Sequence, residues 1–329
     1  RHAIFRAIVG QLEHVEWEGF AFYDLIFPLF VFMIGVSIVL SLSKSIQKDG
    51  MGKTYLKIFR RSLLIYVLGL FYYGGISDGM DQIRYVGVLQ RLAIAYGITA
   101  LLFCHLKWKG MFITCWGILV GYWACLTFIP FPGSEEGRYT IDHNLTRYID
   151  SIWLPGRRWN GDWDPEGLFS NLTAVASCIF GVLAGLLIQN NKFSDMKKVQ
   201  SLGMGGLVAL GLGYLWGMQF PIIKNIWTSS YVLVAAGYSA LLLGLFYWII
   251  EVLKFRLWAM PFVWIGMNPI TIYMSANLLE YRDLALRLVG GEIQQSLGRF
   301  GELVTAVVAV GMVLALAKFM YSRKIFLRL

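Results

Sequence analysis

The stretch Phe22-Tyr23-Asp24-Leu25-Ile26-Phe27-Pro28-Leu29-Phe30-Val31-Phe32-Met33-Ile34-Gly35-Val36-Ser37-Ile38-Val39-Leu40-Ser41-Leu42 carries Asp24 as its one charge. About 20 apolar residues is the length of α-helix that crosses the hydrocarbon of a bilayer. Eight further apolar stretches follow, roughly at 58–75, 85–104, 110–130, 168–188, 202–219, 228–250, 258–279 and 302–320. The 329-residue chain is 57% hydrophobic and 15% charged, against roughly 45–50% and 25% in soluble domains. The pattern predicts an all-α, polytopic transmembrane helix bundle of about nine membrane helices, read as one domain over residues 1–329, and excludes an ordinary soluble enzyme.

The net charge of +9 belongs to topology rather than to nucleic acid once its distribution is read. Loops alternate between two faces. Residues 43–61, 105–109, 189–201, 251–257 and 318–329 together carry a balance of +14, whereas 1–24, 75–84, 131–167, 219–227 and 280–302 carry −6. Lys and Arg collect in short cytoplasmic loops, so the first set is expected inside and the second, with residues 1–21, outside. The single long connection, 131–167, holds Trp153, Trp159, Trp163 and seven acidic residues. It reads as an external cap over a site. The glycines at 203, 205, 206, 211 and 213 suit close helix packing.

Cys104, Cys115, Cys125 and Cys178 fall in apolar segments without CxxC spacing, which suits core thiols better than a zinc site or disulfide frame. GxGxxG, Walker A, HExxH and GxSxG patterns are absent, which removes several enzyme classes. The chain begins at Arg1 without a signal segment, so an incomplete or processed N-terminus is expected.

A polar group in hydrocarbon is costly and therefore a functional candidate. Asp24, Arg91 and Asn268 qualify. On a helix, Arg84 and Arg91 are seven residues apart and share a face with Gln90 beside them, Arg91 about 10 Å below Arg84. This stripe either binds carbonyl or phosphate oxygens or pairs with an acid such as Asp24. His14, in Glu13-His14-Val15-Glu16-Trp17-Glu18-Gly19 at the external mouth, can take a proton from an amine or carry an acyl group. A histidine at an interface without any role has the same local pattern. His143, beside Asp142, is the rival base. Asp164 and Glu166 in Trp163-Asp164-Pro165-Glu166-Gly167 either cap the fifth helix or bind a sugar, with Trp163 stacking on its apolar face. Trp227, Ser229 and Ser230 in Lys224-Asn225-Ile226-Trp227-Thr228-Ser229-Ser230-Tyr231 are interfacial anchors or a polar pocket wall.

His14-Val15-Glu16-Trp17-Glu18-Gly19 leading into Asp24-Leu25-Ile26-Phe27-Pro28-Leu29-Phe30 resembles the heparan-α-glucosaminide N-acetyltransferase family, with its bacterial membrane-protein relatives. Gly87-Val88-Leu89-Gln90-Arg91-Leu92, Asp164-Pro165-Glu166-Gly167, Lys224 to Tyr231 and Gly266-Met267-Asn268-Pro269 follow in the family order. The resemblance implies transfer of acetyl from cytosolic acetyl-CoA to the amine of a glucosamine-type sugar across the membrane, with a histidine matching His14 in catalysis. Family members usually carry a further membrane helix before the histidine segment, so the resemblance implies that a preceding helix is missing here.

On this reading His14 and Asp24 are catalytic. Arg84, Gln90, Arg91 and Asn268 line the acyl or CoA path, while Trp163, Asp164, Glu166, Trp227, Ser229 and Ser230 contribute to substrate binding. Acetyl-CoA is the co-substrate, without a metal. The expected partners are the amino-sugar or glycan acceptor and membrane lipid, not nucleic acid, and a homo-oligomer is allowed for. The expected location is multi-pass in a bacterial inner membrane with the His14 side periplasmic. Two alternatives stand beside this: a transporter of an amino sugar or related metabolite built from the same polar residues, and an acyltransferase acting on a cell-wall glycan.

Overall fold

In hydrocarbon each unbonded backbone N–H or C=O costs several kcal/mol, so apolar stretches of this length close their hydrogen bonds as helices. The computed structural model describes residues 2–77 and 79–326 and follows that rule. The helices are α1 His2–Gln11, α2 Ile26–Tyr72, α3 Val88–His105, α4 Trp108–Phe128, α5 Leu145–Trp153, α6 Asn171–Gln189, α7 Asp195–Gly217 and α8 Ser229–Tyr247. Then come α9 Met260–Gly266, α10 Pro269–Leu279, α11 Tyr281–Val289, α12 Glu292–Ser296 and α13 Gly301–Ser322. Among the described residues strand pairing is limited to isolated bridges. The chain is an all-α polytopic membrane protein.

Seven segments among the described residues are long and apolar enough to cross a membrane, where about nine were expected. Two of the expected stretches share one segment, Phe22–Tyr72. Its helix α2 reverses at Gly50, whose φ is +76°. Lys57 Nζ donates to Ser45 Oγ at 3.2 Å, whereas a straight helix would hold these residues about 18 Å apart, so α2 is a hairpin of two arms. A third stretch, 258–279, is broken into α9 and α10. Pro269 has no N–H to give and drives the preceding residue out of helical geometry; Asn268 sits at φ −139°, ψ 51°.

The residues form two compact units, 1–252 and 253–329. In the first, α2 packs on α3 and α6, α4 on α6, and α7 on α8. The α2–α6 contact is close because Gly35 and Gly181 face it: a Cβ on Gly35 would lie 2.0 Å from the Cys178 carbonyl, and one on Gly181 1.8 Å from that of Phe32. Of the glycines expected to pack in α7, Gly206 and Gly213 abut α8, while Gly203, Gly205 and Gly211 have open space where a Cβ would go. The outward sides of α4, α7 and α13 expose Ile113, Val120, Met204, Leu207, Leu215, Val307 and Val310. Apolar side chains directed outward along whole helices suit lipid rather than water. The four cysteines are free thiols.

The long connection is folded. Asn144 caps α5 by accepting from the Arg147 N–H at 2.8 Å, and Arg147 bonds both Asp142 and Asp162. Gly156, at φ +72°, pairs in extended fashion with Arg84. A Cβ there would lie 2.1 Å from the Ile83 carbonyl, so only glycine fits this crossing of the loop over the approach to α3.

Candidate active site

Segments 14–19 and 219–225 lie side by side. Gly19 N–H donates to the Ile222 carbonyl at 2.8 Å, Glu18 pairs with Ile223, and Asn225 Nδ2 donates to the Glu16 carbonyl. Thr228 caps α8, accepting from the Tyr231 N–H, and also takes the Ile223 N–H, which closes the turn between the two. This places Lys224 against His14. Between them stands Asp24, in the first turn leading into α2 and 1% exposed.

Asp24 Oδ1 lies 2.7 Å from His14 Nδ1 and 3.1 Å from Lys224 Nζ. Its Oδ2 accepts from the Ala21 and Val15 N–H groups at 3.1 and 3.3 Å. A carboxylate offers about four acceptor positions, and all four are used. Tyr231 Oη donates to the Asp24 carbonyl at 2.9 Å and fixes the backbone as well. With His14 Nδ1–H donating to Asp24, Nε2 keeps its lone pair. The His14 side chain is 53% exposed and stands against the Tyr23 ring at 4.4 Å, with Nε2 3.3 Å from Lys224 Nζ. Burial pulls the Lys224 ammonium below its usual range, against the opposing pull of Asp24.

A second cluster lies deeper. Arg84 donates to both oxygens of Asp164 (2.8 and 2.7 Å) and to Glu166 (2.8 Å). Its guanidinium lies over the Tyr73 and Trp159 rings at 4.3 and 4.9 Å. Burial alone would lower the Arg84 pKa, but Asp164 and Glu166 hold it above the ordinary value. Burial also pushes Glu166 up, against the pull of Arg91 and Arg84. Arg91, in α3, is fully buried and stands 4.6 Å from the Trp227 ring. Its Nη2 donates to Ser170 Oγ and, at 2.9 Å, to the Pro165 carbonyl, while Nε and Nη1 lack a protein partner. Gln90 Nε2 donates to the Arg84 carbonyl. Glu166 is close enough to act on Lys224 as well, so the two clusters are electrostatic neighbours.

Three expectations need correction. Arg84 and Arg91 do not form one helical stripe, because α3 begins at Val88 and Arg84 lies in the extended bridge to Gly156. Arg91 does not pair with Asp24. Asp164 and Glu166 do not cap the fifth membrane helix, because α6 starts later, at Asn171, and both carboxylates bond Arg84.

Trp163 is buried edge-on to Trp17 at 5.8 Å; the exposed ring beside the cluster is Trp159. Trp227 is buried with Nε1 donating to Ser177 Oγ at 3.0 Å. Ser229 and Ser230 donate to the Leu119 and Pro221 carbonyls, so both hydroxyls serve the backbone. Asn268, in the second unit, donates to the Ile325 carbonyl at 3.0 Å. His143 is paired with Glu136 within the loop. Among the described residues no three His, Cys, Asp or Glu side chains converge as metal ligands. Sequence reasoning missed Lys224 as a neighbour of His14. Its signal was a lone cation just before a helix N-terminus, where the dipole disfavours positive charge unless an acid compensates.

A family model described as a domain of unknown function, DUF5009, matches residues 8–124. Heparan-alpha-glucosaminide N-acetyltransferase of Mus musculus is 27% identical over 378 residues, covering 95% of this chain and 56% of the relative. The Homo sapiens protein of the same name is 27% identical over 383 residues, covering 95% and 55%. The chain is similar to these acetyltransferases. It spans about half the length of the curated relatives it matches. The family likeness read from the ordered motifs therefore extends over nearly the whole chain.

Proposed function

We propose that the chain is a membrane acetyltransferase that moves acetyl from acetyl-CoA to the amine of a glucosamine-type sugar. The observation that carries this is His14: a half-exposed imidazole whose Nδ1 is held by the buried Asp24, so that Nε2 keeps its lone pair. The names of the curated relatives support the reaction class.

In this reading the sugar amine attacks the thioester carbonyl, its proton passes to His14 Nε2, the C–S bond breaks, and CoA leaves as the thiolate. The same nitrogen can first take the acetyl group and pass it on. Asp24 holds the ring in one tautomer and stabilises the imidazolium as it forms. The unpartnered N–H groups of Arg91 are suited to a carbonyl or phosphate oxygen on the donor path. Trp159 offers the exposed aromatic surface for a sugar.

The charge bias of the loops supports donor entry from the cytoplasm and an acceptor site on the opposite, periplasmic face of a bacterial inner membrane. His14, Arg84, Asp164, Glu166 and Lys224, all assigned to one face by charge, lie together, which supports one shared side for the site. Protein reconstituted in vesicles, supplied with labelled acetyl-CoA and glucosamine, tests the proposal. N-acetylglucosamine formed by the protein and lost in His14→Ala is expected. Glucosamine flux without acetylation supports a transporter instead and overturns it.

A further inference from the structure

His14 Nδ1, Asp24 Oδ1 and Lys224 Nζ form a triangle with sides of 2.7, 3.1 and 2.8 Å. One nitrogen cannot donate to Asp24 and accept from Lys224 through the same lone pair. If Lys224 donated to Nδ1, that nitrogen would carry no proton, and its lone pair would oppose an Asp24 oxygen at 2.7 Å. The arrangement that satisfies all three groups has both Nδ1–H and Nζ–H donating to Oδ1. Lys224 then already supplies the positive charge that balances Asp24.

We propose that Lys224 is a positioning residue of the His14–Asp24 pair: its ammonium neutralises Asp24 and thereby keeps the His14 imidazole uncharged, with Nε2 unprotonated and ready to act. The inference rests on the acetyltransferase reading only for its consequence in catalysis; the proton assignment follows from the triangle.

A histidine beside a lone buried carboxylate gains a charged partner and holds its proton more tightly. With an ammonium 2.8 Å from Nδ1 and 3.3 Å from Nε2, an imidazolium would face a like charge. Also bearing on this corner are the Tyr23 ring at 4.4 Å from His14 and Glu166, which acts on Lys224, while Glu13 and Glu16 flank His14 on its own segment. Glu166 is itself paired with Arg84. Lys224 is held in place independently of His14 by the turn that Thr228 closes and by the pairing of Glu18 with Ile223. Its charge is therefore a fixed feature of the site.

Histidine NMR titration of the intact protein in lipid nanodiscs tests this, with the His14 signal identified by its loss in His14→Asn. Lys224→Met is expected to raise the His14 midpoint by on the order of one pH unit, and Lys224→Arg to leave it in place. The acid limb of acetyl transfer should move upward with it. A Lys224→Met midpoint that stays put or falls overturns the proposal, as does a Lys224→Arg midpoint that rises as far as that of Lys224→Met. Should Lys224→Met fail to fold, Lys224→Gln retains a donor to Asp24 without the charge, and the same shift is required of it. If no variant or parent transfers acetyl, the functional reading fails while the titration still decides this one.

Discussion

Two charged regions stand close together at one end of the bundle and differ in what their charges are free to do. In the corner formed by His14, Asp24 and Lys224, the carboxylate is buried but the imidazole is half exposed, and its Nε2 lies 3.3 Å from the Lys224 ammonium. In the knot formed by Arg84, Asp164 and Glu166, the central guanidinium is 5% exposed and both partners are hydrogen-bonded to it. Asp164 accepts from the Trp159 and Glu166 N–H groups in addition. A charge with every acceptor filled and no exposure holds the cap loop onto the approach to α3. An imidazole that keeps a lone pair on a half-exposed ring is available for chemistry. Each region holds three ionisable groups; the difference lies in satisfaction and exposure.

The sharpest test of that contrast is His14→Ala. Acetyl transfer should fall about 10²–10⁴-fold while thermal unfolding in detergent stays close to the parent's; a large stability loss would make the corner structural. Arg84→Met should do the reverse. Leaving Asp164 and Glu166 buried without their cation costs about 3–5 kcal/mol, read as a lowered denaturation midpoint. Arg84→Lys should recover only part, because an ammonium cannot reproduce the two-pronged bond. If Arg84→Met unfolds no more easily than the parent, the knot is not what holds the loop.

A third, smaller effect concerns pH. Asp150 lies beneath the loop, accepting from the Asp164 and Leu168 N–H groups. Burial, helped by the nearby Asp164 charge, pushes its carboxyl up from 3.8 to about 6. The folded protein then holds this proton more tightly than the unfolded chain, so stability from this group is full below about pH 4 and declines as pH rises through about 6. At one pKa unit per 1.36 kcal/mol, the decline is at most about 3 kcal/mol. Unfolding followed across that window should show it, and Asp150→Asn should flatten the slope. Last, Trp159→Ala removes an exposed ring from Arg84 and should cost about 0.5–1 kcal/mol of stability. A several-fold rise in KM for the sugar would add a stacking role.

The membrane stretches were legible because burial against lipid writes itself into about 20 consecutive residues. One feature of the count was not: Pro269 breaks an apolar run, so that boundary coincides with no change in hydropathy, whereas the turn at Gly50 falls in the polar run that already separated two stretches. His14 and Asp24 could be singled out because each is a polar group next to apolar sequence. The partner of Arg84 could not, since Asp164 lies 80 positions away and helical periodicity reaches only a few turns.

By itself, the amino-acid order determined that this chain is a lipid-embedded helical bundle and which few polar side chains a bilayer would tolerate only for a reason. Tertiary structure alone decided how those side chains are matched: Lys224 to His14 across 210 positions, Arg84 to the cap loop, and Arg91 left with two nitrogens unpartnered. The physical cause is one of range. Hydropathy and helical period act over one segment, whereas pairing of charges in a low-dielectric interior is settled only when distant segments have packed.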